Sequence, residues 1–189
     1  MITDRRPSIR TLGHQRRTPM AEVIDQPHVR LEMLSQARFL AAARAMISNL
    51  AQRLGFNEIH SGQISLAVDE ALCNIINHGY EKRPDGRIWV SVWALEDHKQ
   101  PTIKIIIEDR AKQVDPQVIR SRDLEDVRPG GLGVYIIREV MEDVRYEKRE
   151  GGGMRLSMCK RLPSGAQTTQ ENQRAGSTPS RSAAEEDNQ

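Results

Sequence analysis

The spacing of apolar positions alternates between a helical and a two-residue period, and each change marks a new element. After Ser35, which reads as an N-cap, Leu40, Ala43, Ile47, Leu50 and Leu54 recur at helical spacing until Gly55 closes the run. A second stripe, Ile64, Val68, Ala71, Leu72 and Ile75, predicts a helix from about Ser61 to His78, with Gly79 suited to the C′ position. Beyond a turn at Pro84–Gly86 the period drops to two: Ile88, Val90, Val92 and Ala94 share one face of a strand. Asp97–Pro101 turns the chain into a second strand, Thr102–Glu108, and a polar loop runs from Asp109 to Gly130. A third helix starts near Gly131 with Val134, Ile137, Val140 and Met141 inward. The last two strands, about 143–149 and 154–161, flank Gly151–Gly153 as a hairpin, and a short early strand is expected at Val29–Leu34.

Hairpin-joined strands with helices grouped in sequence imply an α+β fold of two layers. About three helices should pack on one face of a mixed, largely antiparallel sheet of four to five strands.

Composition sets the limits of that domain. Pro163–Gln189 contains no Val, Leu, Ile, Met or aromatic residue, so it cannot offset its ordering entropy and reads as a disordered polar tail. Residues 1–27 read as a flexible basic tail, which leaves 28–162 as the folded domain. Between His28 and Leu162, 21 basic and 19 acidic side chains are interspersed, with no basic stripe to bind nucleic acid. No run of ~20 apolar residues and no signal-like start is present, which predicts a soluble, cytoplasmic protein. Cys73 and Cys159 stand far apart without a Cys-x-x-Cys spacing, which excludes a cysteine metal site and suits two buried thiols in a reducing compartment.

Three segments carry candidate chemistry. In AVDEALCNIINHGY, Glu70, Asn74 and Asn77 fall in one sector of the second helix, opposite Val68, Ala71 and Ile75. A carboxylate one turn from an amide suits Mg²⁺–phosphate chemistry, Asn74 offering an oxygen to the cation and Glu70 accepting a proton; it also suits a solvated helix face. In IIIEDR, Asp109 follows three isoleucines, as a turn residue or as a pocket acceptor for an exocyclic amine such as that of adenine. In PGGLGVYII, glycines run into an apolar helix, whose N-terminal N–H groups can approach an anion. Neither a P-loop nor a dinucleotide fingerprint is present.

Taken in order, these segments resemble the GHKL ATPases, the group of gyrase, heat-shock chaperone, histidine-kinase and MutL ATP sites. AVDEALCNIINHGY is similar to their N-box. The HGY ending, the Asp115–Pro116 step and GGLGVYIIREVMEDVRYE…GGGMRLSMCKRL resemble the branch of anti-sigma regulatory factors, small bacterial serine/threonine protein kinases, over about 30–162. The resemblance implies a Bergerat-type two-layer sandwich that binds ATP and Mg²⁺. It implies Glu70 as the general base that activates a partner's serine, Asn74 as the Mg²⁺ ligand and Asp109 as the acceptor of the adenine amine, beside Ala111. Gly130, Gly131, Leu132 and Gly133 would wrap the phosphates under a lid at about 117–129, and His78 and Tyr80 match the motif. The implied partners are a small antagonist protein, phosphorylated by the chain, and a sigma factor that it sequesters; a homodimer is compatible. One departure stands out. The family usually has a glycine two residues after the aspartate, where this chain has Arg110 and then Ala111. A methyl there, and the loss of freedom at positive φ, keeps open a second reading, an ATP/ADP-sensing binding switch with little kinase activity. Arg110, Lys112, Arg120, Arg122 and Arg128 surround the presumed lid as candidate phosphate partners.

Overall fold

The computed structural model describes residues 26–97, 100–119 and 132–163. The elements run β1 (Val29–Leu34), α1 (Leu40–Arg53), α2 (Glu58–Asn74), β2 (Arg87–Asp97), β3 (Gln100–Asp109), α3 (Leu132–Val140), β4 (Glu142–Lys148) and β5 (Met154–Arg161). The five strands form one sheet in the order β1-β2-β3-β5-β4, with every neighbouring pair antiparallel. The sheet is therefore purely antiparallel where a mixed one was allowed. The crossover through α3 returns the chain to the far edge as β4, and the β4–β5 hairpin then lays β5 back against β3.

Alternation sorts each strand into two faces. Ile88, Val90 and Val92 of β2, Ile103, Ile105 and Ile107 of β3, and Leu156 and Met158 of β5 are buried, facing the helices. Rows such as Val90, Ile107 and Leu156 lie in register across the sheet. On the helix side Ile47, Ile64, Val68, Leu72 and Ile137 are fully buried against them. Each such side chain contributes roughly 1.5–3 kcal/mol on burial, so the helix–sheet interface is the main source of stability. Helix α2 is the middle helix, in contact with both α1 and α3. Among the described residues no helix is long and apolar enough to cross a membrane.

The helix ends depart from the sequence pattern. Ser35 does not cap α1. It is buried, donates its hydroxyl to the Arg83 carbonyl and accepts the Gly86 N–H at 3.0 Å, so it ties β1's end to the Pro84–Gly86 turn. A single 3-10 turn, Ala37–Phe39, leads into α1 instead. Helix α2 starts three residues early because Asn57 accepts the His60 N–H at 2.8 Å and is the true N-cap. At its other end one π-turn, Ile75–Gly79, replaces the last α-turn. Gly79 is not the left-handed residue; that role falls to Glu81 (φ 52°) and Lys82 (φ 65°). Packing selects glycine at 79, since a Cβ there would lie 2.9 Å from Ala111 Cβ.

Candidate nucleotide site

A cavity of about 360 Å³ opens between α2 and the sheet. Its floor is the row Ile107, Leu156 and Tyr146 of β3, β5 and β4, and its roof is Ala71, Asn74 and Ile75 of α2 with Val134 of α3. Val114, Val118 and Ile119 stand at its side. The site has two chemically distinct ends.

Asp109 closes one end. It is the last residue of β3, faces the helices and is 3 % exposed. Its Oδ1 accepts the Ala111 N–H at 2.8 Å and the Met154 N–H at 3.1 Å. Burial pushes its carboxyl above the ordinary aspartate range, against the opposing pull of those two N–H groups and of Arg149. The β4–β5 turn runs close beneath. Gly153 has φ +84°, and a Cβ on it would lie 2.0 Å from the Asp109 carbonyl oxygen. Gln113 fastens the same turn by donating to the Arg149 and Gly153 carbonyls at 2.7 and 3.1 Å.

The departure from the family pattern, Ala111, lines the cavity. Ala111 is buried, its backbone is not among the residues at positive φ, and its methyl fills the space left by Gly79. Of the surrounding cations, Lys112 lines the cavity. Arg110 does not; its guanidinium sits 5.5 Å over the ring of Trp89, on the opposite face of the sheet from the buried Ile88. Arg120, Arg122 and Arg128 lie outside the described residues.

Asn74 lines the cavity away from Asp109, and Glu70 stands one turn before it on α2, outside the lining. Both are half-buried on α2, one turn apart, and face the first turn of α3. A Cβ on Gly133 would lie 2.6 Å from Glu70 Oε2 and 3.3 Å from Asn74 Nδ2. Glycine there lets the N-terminal backbone of α3, the positive end of its dipole, approach a carboxylate and an amide together. Leu132 directs its side chain outward, 57 % exposed; Gly130, Gly131 and most of the presumed lid lie outside the described residues. Asn77 is exposed and does not join Glu70 and Asn74, because the π-turn interrupts the 100° rotation that placed it with them. The same turn brings His78 and Gly79 into the cavity wall.

Among the described residues no group of three or more His, Cys, Asp and Glu side chains is gathered to hold a metal ion. A cation beside Asn74 would need oxygens from a ligand, which is how Mg²⁺ is usually held with phosphates. The cysteines are half-buried rather than buried. Burial, with the Asp143 carboxylate beside it, pushes the Cys159 thiol up to about 11, and burial also raises Cys73, so neither is a ready nucleophile.

Residues the sequence pattern did not single out complete the frame: Gly153 and Met154 by backbone contact and Arg149 by its side chain. Tyr80, matched in the sequence only as part of the HGY ending, joins them through its hydroxyl.

The family model of the histidine kinase-like ATPase domain matches residues 33–160. The chain is similar to the serine-protein kinase RsbW of Oceanobacillus iheyensis, 28% identical over 132 residues that cover 66% of this chain and 81% of that protein. It is also 28% identical to the RsbW of Halalkalibacterium halodurans over 148 residues, 74% of this chain and 86% of that one. The Bacillus subtilis RsbW is 22% identical over 132 residues, 66% and 80% of the two chains. The resemblance seen in the N-box and the glycine-rich helix start is borne out, and the chain belongs to the histidine kinase-like ATPase domain family.

Proposed function

We propose that this chain is an ATP-dependent serine/threonine protein kinase of the anti-sigma-factor type, which phosphorylates a small antagonist protein and sequesters a sigma factor. One observation carries the reading. Gly133 sets the first turn of α3 directly against Glu70 and Asn74, and Asn74 lines the same cavity as the buried carboxylate of Asp109. The similarity to the RsbW serine-protein kinases supports the kinase class.

The residues divide the work. Asp109 would accept the amine of the base at the closed end. Asn74 would give its side-chain oxygen to Mg²⁺, and the backbone around Gly133 would face the phosphates. Bound Mg·ATP supplies the transferable phosphoryl group and the positive charge that neutralises its oxygens. Glu70, half open to solvent, would take the proton of a partner's hydroxyl on one carboxylate oxygen. The chain's task is mostly positioning, since phosphoryl transfer asks little covalent chemistry of the protein. The second reading, an ATP/ADP-sensing binding switch with little kinase activity, draws on Ala111, which lines the cavity beside Asp109.

The test is transfer of label from γ-labelled ATP to a small antagonist protein by the full chain. Glu70→Gln should leave Mg·ATP binding within a few-fold and slow transfer by roughly 10²–10⁴, the usual size of a general-base contribution. Equal rates for the variant and the parent would remove Glu70 from the chemistry. Loss of nucleotide binding as well would make it a structural residue.

A further inference from the structure

The peptide that joins Asp109 to Arg110 is held from both edges. Its N–H donates to the Tyr80 hydroxyl at 2.9 Å, and that hydroxyl donates onward to the Arg87 carbonyl at 2.6 Å. Its carbonyl accepts from the Arg149 guanidinium. Neither holder is loose. Tyr80 is 3 % exposed, and its ring sits where a Cβ on Gly86 would lie, 2.4 Å away. Arg149 also pairs with Glu108 at 3.3 Å and lies 5.6 Å over the Trp89 ring. The glycine at 153 leaves the room that this arrangement needs.

A peptide unit is planar, so fixing its N–H and C=O edges fixes the Cα of Asp109 within it. The side chain then keeps only its own rotations, and Oδ1 spends these on the N–H groups of Ala111 and Met154. A buried acceptor discriminates between an amine and a carbonyl only if it cannot turn away from the wrong one. We propose that Tyr80 and Arg149 are positioning residues for base selection. They clamp the Asp109–Arg110 peptide so that the carboxylate is held against a purine 6-amino group and cannot swing aside for a 6-carbonyl. This rests on the reading of Asp109 as the base acceptor.

The experiment is calorimetric titration of the full chain with Mg·ATP and with Mg·GTP, beside thermal melts, for the parent, Asp109→Ala, Tyr80→Phe, Arg149→Gln and the doubles with Asp109→Ala. The parent should prefer ATP by at least ~10-fold, since guanine leaves a buried charged acceptor unpaired, and Asp109→Ala should flatten that preference. Tyr80→Phe keeps the ring and Arg149→Gln keeps a donor; each should lower the ATP:GTP ratio by about 3–10-fold, the size of one hydrogen bond, mostly through weaker ATP binding. In the Asp109→Ala background neither should change the ratio further. Should Arg149→Gln fail to fold, Arg149→Lys keeps a charge for Glu108 while losing the planar fork, and the same drop is expected. Single variants that melt lower but retain the parent's ratio would overturn the clamp while leaving Asp109 in place, as would equal losses with and without Asp109. A parent that binds both nucleotides equally, or an Asp109→Ala chain that keeps the preference, would overturn the Asp109 assignment and the clamp with it.

Discussion

The Asp109 and Glu70 regions of the site are built on opposite plans. Around Asp109 almost everything is fixed by backbone. Two N–H groups bind the carboxylate, a hydroxyl and a guanidinium hold the next peptide, and Gly153 passes beneath at a distance no side chain would permit. Around Glu70 the contacts are made by side-chain tips on a half-exposed helix face, against the first turn of α3. Under the proposed roles, the difference follows from what each end would have to do. A group that selects a base is useful only if it is rigid before the ligand arrives, because adjustment would admit the wrong one. A group that meets a second protein must stay reachable and able to move its carboxylate as the proton transfers. On that proposal, rigidity is concentrated where the site would recognise the base, and access where it would react.

The same substitution at the two ends should therefore have opposite consequences. Gly153→Ala puts a Cβ at φ +84° and 2.0 Å from a backbone oxygen that the Arg149 guanidinium and the neighbouring strands hold in place. The left-handed backbone alone costs about 1–2 kcal/mol, and the overlap must be relieved by moving β3 or β5. A melting temperature lower by about 10 °C or more is expected, with nucleotide binding lost. A drop of only a degree or two would show that the turn yields and that the Asp109 end is softer than its contacts imply. Gly133→Ala also creates an overlap, 2.6 Å, but with Glu70 Oε2, the far end of a flexible side chain. Alanine favours the helix by roughly 0.8–1 kcal/mol over glycine, so the melt should hold or rise slightly. The displaced carboxylate should slow phosphoryl transfer about 10²-fold, the usual cost of a 1 Å misplacement. An unchanged transfer rate would mean that Glu70 does not act from the position it occupies here.

How much of this was legible in the sequence depends on which kind of signal each feature leaves. The sheet and the helices follow from period alone, because a half-buried strand must alternate and an amphipathic helix must not. Glu70, Asn74 and Asp109 could be named because they are chemically conspicuous at helix and strand positions. Their convergence could not be read, since it depends on α3 crossing above α2 and on β5 inserting between β3 and β4. Ser35 misled because a serine before a helical stripe looks like a cap whether its hydroxyl turns to the helix or to Gly86. Asn77 misled because no local preference announces a π-turn. Arg149 left no signal at all: as one of several charges in a hairpin it is unremarkable until the fold places it on the Asp109 carbonyl.

The smallest expected effect probes the cost of that rigidity. A carboxylate raised by burial is one the folded chain prefers to keep protonated. Between the ordinary aspartate value near ~3.9 and its higher folded value the native state binds more protons than the unfolded state. Stability contributed at this site is therefore present below the unfolded value and is lost as pH rises through that window. Asp109→Asn removes the titration but keeps an Oδ1 to accept from Ala111 and Met154. Melted without nucleotide, the variant should gain on the parent as pH rises above the ordinary aspartate value and end no lower, by a few degrees at most. With Oδ1 occupied, its amide NH₂ replaces an acceptor with a donor, so the same variant should lose ATP preference and gain affinity for GTP, whose 6-carbonyl it can meet. A variant that melts lower at pH 7 and favours neither nucleotide would show that the charge of Asp109, and not its position, holds this end of the site together.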